Sequence, residues 1–121
     1  MIKFNFLKLI VDIGNSRTKL ALFDEKHLVK HEITSNFSKD SLSNFCDNYL
    51  VNSSIFSSVR ILSKADHRLI SSYNGLLLDS KTPLPIQSNY KSTIGTDRIS
   101  AVVGACYLFP NKNIWVFDAG T

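Results

Sequence analysis

The stretch Leu9-Ile10-Val11-Asp12-Ile13-Gly14-Asn15-Ser16-Arg17-Thr18-Lys19-Leu20-Ala21-Leu22 decides the fold. Two apolar runs, 9–11 and 20–22, flank a short polar turn with an aspartate at its entrance. The pattern predicts a buried strand that rises to Asp12, turns at Gly14-Asn15 and returns as a second strand. Gly14 carries no Cβ to hold a ligand away from the backbone. Asn15, Ser16 and Thr18 supply side-chain donors, and the N–H groups of such a turn can cradle an anion. Asp12 can hold a divalent cation, directly or through water. These are the parts of a site for a metal-bound polyphosphate. Gly-Asn is also a good hairpin turn with no ligand at all, and this stretch alone favours the plainer reading.

The other end of the chain changes the balance. Ile114-Trp115-Val116-Phe117-Asp118-Ala119-Gly120-Thr121 repeats the design: an apolar strand, then Asp-x-Gly and a small polar residue. Two copies suggest a duplicated phosphate-gripping device.

At 121 residues the chain is about one domain and long enough to bury a core. A hydrophobic share of 44% with 20% charged residues is ordinary for a globular protein. The net charge of +4 is spread along the chain, without the basic stripe and interleaved aromatics of a nucleic-acid surface. Cys46 and Cys106 are isolated, with no CxxC or histidine spacing, which argues against zinc and fits reduced thiols. His27, His31 and His67 show no ligand spacing. Residues 1–8 are interrupted by Lys3 and Lys8 and lack a small-residue cleavage site, and no apolar run approaches a membrane span. The expectation is a cytoplasmic protein with neither membrane nor nucleic-acid partners.

In chain order, residues 7–12 read as a buried strand, 17–24 as its hairpin partner and 28–34 as a third antiparallel strand. Over 38–52 the period becomes helical, with Leu42, Phe45, Cys46, Tyr49 and Leu50 on one face and Ser38 as cap. A strand is expected over 54–62. Ser63-Lys64-Ala65-Asp66 has the capping-box pattern and starts a short helix that Gly75 ends, followed by a fully buried strand over 76–78. Residues 82–94, with Pro83 and Pro85, lack periodicity and read as an irregular, functional loop. From Asp97 a second long helix presents Ile99, Val102, Val103, Cys106 and Tyr107, and Pro110 stops it before the last strand. The order βββαβαβα plus one strand predicts an α/β fold with a mixed five-stranded sheet and parallel crossovers.

This order resembles the first lobe of the ribonuclease H-like, actin-like ATPases, the superfamily of actin, Hsp70 and the sugar kinases. Asp12-Ile13-Gly14-Asn15-Ser16 with Lys19, then Gly95-Thr96-Asp97-Arg98, then Asp118-Ala119-Gly120-Thr121 resemble the three motifs of type III pantothenate kinases. The Gly-x-Asp-Arg opening a helix is the specific one. The resemblance covers nearly the whole chain but about half the family's usual length. It implies that residues 1–112 are a first ATPase lobe and 113–121 the start of a second, absent lobe. It also implies phosphorylation of pantothenate by ATP, the first step toward coenzyme A, by a full-length homodimeric parent, with this piece alone inactive.

Under that resemblance Asp12, Ile13, Gly14, Asn15, Ser16, Arg17, Thr18 and Lys19 form the ATP phosphate site, with Asp12 near magnesium, and Thr121 touches ATP. Tyr90, Gly95, Thr96, Asp97 and Arg98 bind pantothenate, with Asp97 as the base facing the attacking hydroxyl. Asp118 holds a monovalent cation, potassium or ammonium. The chemistry suits the residues. Phosphoryl transfer asks mainly for positioning and charge neutralisation. Asp97 at a helix N-terminus faces the positive end of the dipole, Arg98 offers a planar fork to a carboxylate, and Lys19 offers a point charge to phosphate.

Taken singly, every one of these residues except Asp12 is better explained structurally: Asp97 as a helix-start charge, Arg98 as a salt-bridge partner, Lys19 as a solvated strand residue. Order and spacing together favour the functional reading. The rivals are another small-molecule or sugar kinase of the superfamily, and a non-catalytic regulatory relative of the accessory transcription factor kind, which would need a basic DNA-facing patch.

Overall fold

The computed structural model describes residues 6–89 and 93–119. The chain falls into two compact units that meet between Leu78 and Asp79.

The first unit is built on a five-stranded sheet in the order β3-β2-β1-β4-β5. Strand β1 (Leu7–Ile13) and strand β2 (Thr18–Asp24) form an antiparallel hairpin, extended by β3 (His27–Thr34). On the other side of β1 lies β4 (Val51–Ser58), parallel to it, and then β5 (Gly75–Leu77), parallel to β4. Helix α1 (Lys39–Phe45) makes the first crossover and α2 (Lys64–Ser72) the second. The sheet is therefore mixed and five-stranded, as the pattern predicted, and consistent with an actin-like ATPase lobe.

Period-two alternation sets the faces. Leu7, Leu9, Val11 and Ile13 of β1 are buried on one face, and the register places Leu20 and Leu22 of β2 on that same face. Leu42 and Phe45 of α1, Ile70 of α2, Phe56 of β4 and Phe37 complete one continuous core. Phe37 meets Phe56 edge to face, ring centroids 6.0 Å apart. Ser54 is buried in β4, and its hydroxyl donates to the Tyr73 carbonyl at 2.7 Å. That bond satisfies a buried polar group while fastening the end of α2 to the sheet.

Both helix starts read from sequence are present. Ser38 caps α1, and Ser63 with Asp66 forms the capping box of α2. The ends differ. Helix α1 stops at Phe45 rather than running to 52, and Tyr49 and Leu50 are exposed. Its continuation is broken by Asn48 at φ 67° and then claimed by pairing of Val51 with Leu7. The strand thus begins at Val51 and finishes at Ser58, earlier than the 54–62 expected. Helix α2 ends at Ser72 with Tyr73 as its C-cap, and Asn74, not Gly75, takes the left-handed turn at φ 50°. Strand β5 is an edge strand with Leu76 exposed, not a buried one.

The second unit holds one helix, α3 (Thr96–Leu108), with Gly95 as N-cap. Residues 82–89 and 93–94 form the irregular segment expected there. Of the helix's five apolar positions only Ile99 is buried, and Tyr107 is 62% exposed. Residues 114–119 form no strand, and Trp115 and Phe117 are 87% and 86% exposed. A strand needs a neighbouring backbone to complete its hydrogen-bond ladder, and among the described residues none pairs with this segment.

Candidate functional site

In the first unit the site residues gather at the carboxyl end of β1. This is where open α/β sheets place ligands, beyond the carboxyl ends of parallel strands, here β1 and β4. The four-residue loop Gly14–Arg17 is closed by a bond from the Gly14 N–H to the Arg17 carbonyl at 2.9 Å. One of the turn's N–H groups is thus engaged within the turn itself. A Cβ on Gly14 would lie 3.0 Å from that carbonyl oxygen, so glycine allows the close approach.

Strand alternation sorts the remaining residues. Ile13 and Thr18 are paired across the hairpin and buried on the core face. Thr18 therefore turns its hydroxyl into the fold instead of adding a donor to the surface, as the sequence had suggested. Asn15, Ser16 and Arg17 are exposed. Asp12 and Lys19 are register partners on the opposite face from the core, with Lys19 Nζ 3.8 Å from Asp12 Oδ2. The lysine side chain is 67% exposed and the aspartate 33%, so the pair is solvated and its attraction is worth under about 1 kcal/mol. The lysine remains able to turn toward another anion.

Ser57 is the neighbour that sequence reading missed. It is the register partner of Asp12 across the parallel pair, and it is buried. The expected signal was faint, because a serine in a Ser-rich strand matches no motif. The chain leaves β4 through a turn in which the Ser58 hydroxyl donates to the Arg60 carbonyl and accepts from the Arg60 N–H.

In the second unit, Gly95-Thr96-Asp97-Arg98 opens α3 as predicted. Gly95 supplies no side-chain cap. The Asp97 carboxylate, two positions into the helix, accepts from the Arg98 N–H at 2.9 Å. Arg98 and Asp118 both line a cavity of 570 Å³, within the range of small-molecule sites. Its walls are mostly apolar, with Leu84, Ile86, Ile94 and Val102 among them. Three of those four belong to the aperiodic segment 82–94. Apolar residues inside a proline-bearing loop were the available sign that this segment covers something. Thr96 and Asp97 are not part of the cavity lining. Tyr90 and Thr121 lie outside the described residues.

Among the described residues no three His, Cys, Asp or Glu side chains cluster as a metal cage, and no helix is long and apolar enough to cross a membrane. Cys46 is half-buried at the end of α1, and burial pushes its thiol up, the Lys30 charge opposing this only in part.

A family model described as type III pantothenate kinase matches residues 8–121. The chain belongs to the type III pantothenate kinase family. Among the curated relatives, the type III pantothenate kinase of Bacteroides fragilis is 42% identical over 122 residues, and that of Phocaeicola vulgatus 40% over 119. Each alignment takes in 95% of this chain and 49% of the relative. The type III pantothenate kinase of Christiangramia forsetii is 35% identical over 123 residues. The chain spans about half the length of the curated relatives it matches.

Proposed function

We propose that this chain is the phosphate- and acceptor-binding part of an enzyme that transfers the γ-phosphoryl group of ATP to pantothenate, giving 4'-phosphopantothenate for coenzyme A synthesis. The observation that carries the reading is the Gly95–Arg98 turn at the start of α3, with Arg98 and Asp118 on one apolar-walled cavity, in a chain matched by the family from residue 8 onward.

The ATP phosphates fall to the β1–β2 turn. Lys19 and Arg17 neutralise charge there, and exposed Asn15 and Ser16 donate hydrogen bonds, with Ile13, Gly14 and Thr18 shaping the turn. The Asp12 carboxylate would hold a magnesium ion brought by the nucleotide, directly or through water. When bound, the ion neutralises charge on the phosphates.

Pantothenate is an alcohol with a branched apolar centre and a carboxylate. The apolar walls suit the first and Arg98 the second. Asp97 orients the attacking hydroxyl and takes its proton, with Gly95, Thr96 and Tyr90 contributing contacts. Asp118 provides the carboxylate for a potassium or ammonium ion. Thr121 completes the ATP contacts. The reading includes 1–112 as the first actin-like lobe, 113–121 as the opening of a second, a homodimer, and a cytoplasmic setting with its ATP supply.

A coupled assay of the full-length protein with ATP, magnesium, potassium and pantothenate tests it. Pantothenate-dependent ADP release is expected. Turnover of other alcohols with none of pantothenate overturns it.

A further inference from the structure

We propose that Gly95 is a positioning residue for Asp97: lacking a Cβ, it leaves the space in which the Asp97 carboxylate folds back over the start of α3. This rests on the reading of Asp97 as the group that orients the hydroxyl.

Backbone conformation does not demand glycine here. Gly95 sits at φ −59°, ψ 146°, open to any residue. What a side chain would take is the space the Asp97 carboxylate occupies. A Cβ at this position would lie 2.6 Å from Asp97 Oδ1, and among the described residues Asp97 supplies the atoms it would meet within 4 Å. The same Oδ1 accepts from the Arg98 N–H at 2.9 Å. Arg98 is the third residue of the helix, and its N–H is the donor that an N-cap side chain ordinarily satisfies. Gly95 has no side chain to do so, and the Asp97 carboxylate takes over the task. The carboxylate is thus fixed by two conditions: room above it and a donor below it. Any side chain at 95 removes the first, and a hydroxyl there competes for the second.

Two substitutions in the full-length protein separate positioning from simple capping. Gly95→Ser adds a Cβ together with a good cap, and Gly95→Ala adds a Cβ with a poor one. Ser should hold or raise Tm and Ala should lower it. In both, kcat should fall about tenfold or more with KM for ATP unchanged, since small misplacements of a reacting group are costly. A serine variant with wild-type kcat, or kcat that follows Tm across the pair, overturns the proposal. Hydrogen exchange at the Arg98 amide gives a readout independent of turnover. It should speed up several-fold in Gly95→Ala, and unchanged exchange also overturns the proposal. Failure of the kinase reading shows separately, as an unmodified protein that releases no ADP with pantothenate while the exchange result still decides whether Gly95 governs the carboxylate.

Discussion

At Asp12 and Lys19 the ion pair adds little to stability. A solvated pair 3.8 Å apart contributes little to folding, so Lys19→Met should shift unfolding free energy by under about 1 kcal/mol. The same change should raise KM for ATP roughly tenfold, about the 1.4 kcal/mol of one lost phosphate contact. Steady-state kinetics beside a denaturant titration checks both. Asp97→Asn keeps the shape and removes the basicity. In the full-length protein it should reduce kcat about a hundredfold or more and leave Tm near the wild-type value. Asp97 and Arg98 are legible in sequence because they are adjacent and open a helix. Ser57 is not, because only the parallel register sets it beside Asp12, and register across a crossover leaves no local trace.

Among the elements, helix starts were readable and the ends of α1 and α2 were not, whereas Pro110 marked the end of α3. A start is written in one or two side chains: Ser38 accepts from the Ser41 N–H, and Ser63 and Asp66 bond each other's backbone. An end depends on what comes next, and β4 takes Val51 whatever the helical spacing of Tyr49 and Leu50. Helix α1 also finds a distant support. Lys30 of β3 donates to the Phe45 carbonyl at 2.9 Å and lies 4.7 Å from the Phe45 ring centroid. It supplies the positive charge that the helix lacks in its own last turn. Lys30→Met should therefore cost about 1 kcal/mol, measured by denaturant unfolding. In α2, bonds from Ser63 hold the Asp66 carboxyl below the usual aspartate range. The folded protein binds that proton less readily than the unfolded chain does. The stabilisation is present at neutral pH and fades as pH falls below about 4. Thermal melts of wild type and Asp66→Ala should differ at pH 7 and converge in acid.

For the molecule as a whole, the mixed five-stranded sheet followed from the sequence because the hairpin strands and the two crossover helices each had a readable pattern. The behaviour of 114–119 did not follow. Its apolar run matches a strand, but a strand is defined by its partner, and Trp115 and Phe117 stand exposed without one among the described residues. Asp118 belongs to this segment and to the cavity with Arg98. If it serves a monovalent cation, replacing potassium by an organic cation should depress turnover of the full-length protein. Asp118→Asn should remove the difference between the two salts. The position of β1 between an antiparallel and a parallel neighbour carries a kinetic consequence. Its pairing with β2 closes across a four-residue turn, the kind of event that takes microseconds. Its pairing with β4 must bring Leu7 to Val51 across roughly forty residues of chain. Asp12 and Lys19 should therefore meet early on the folding route, with Ser57 joining them late. In stopped-flow chevrons Gly14→Ala should chiefly slow refolding, whereas Ser57→Ala should chiefly hasten unfolding.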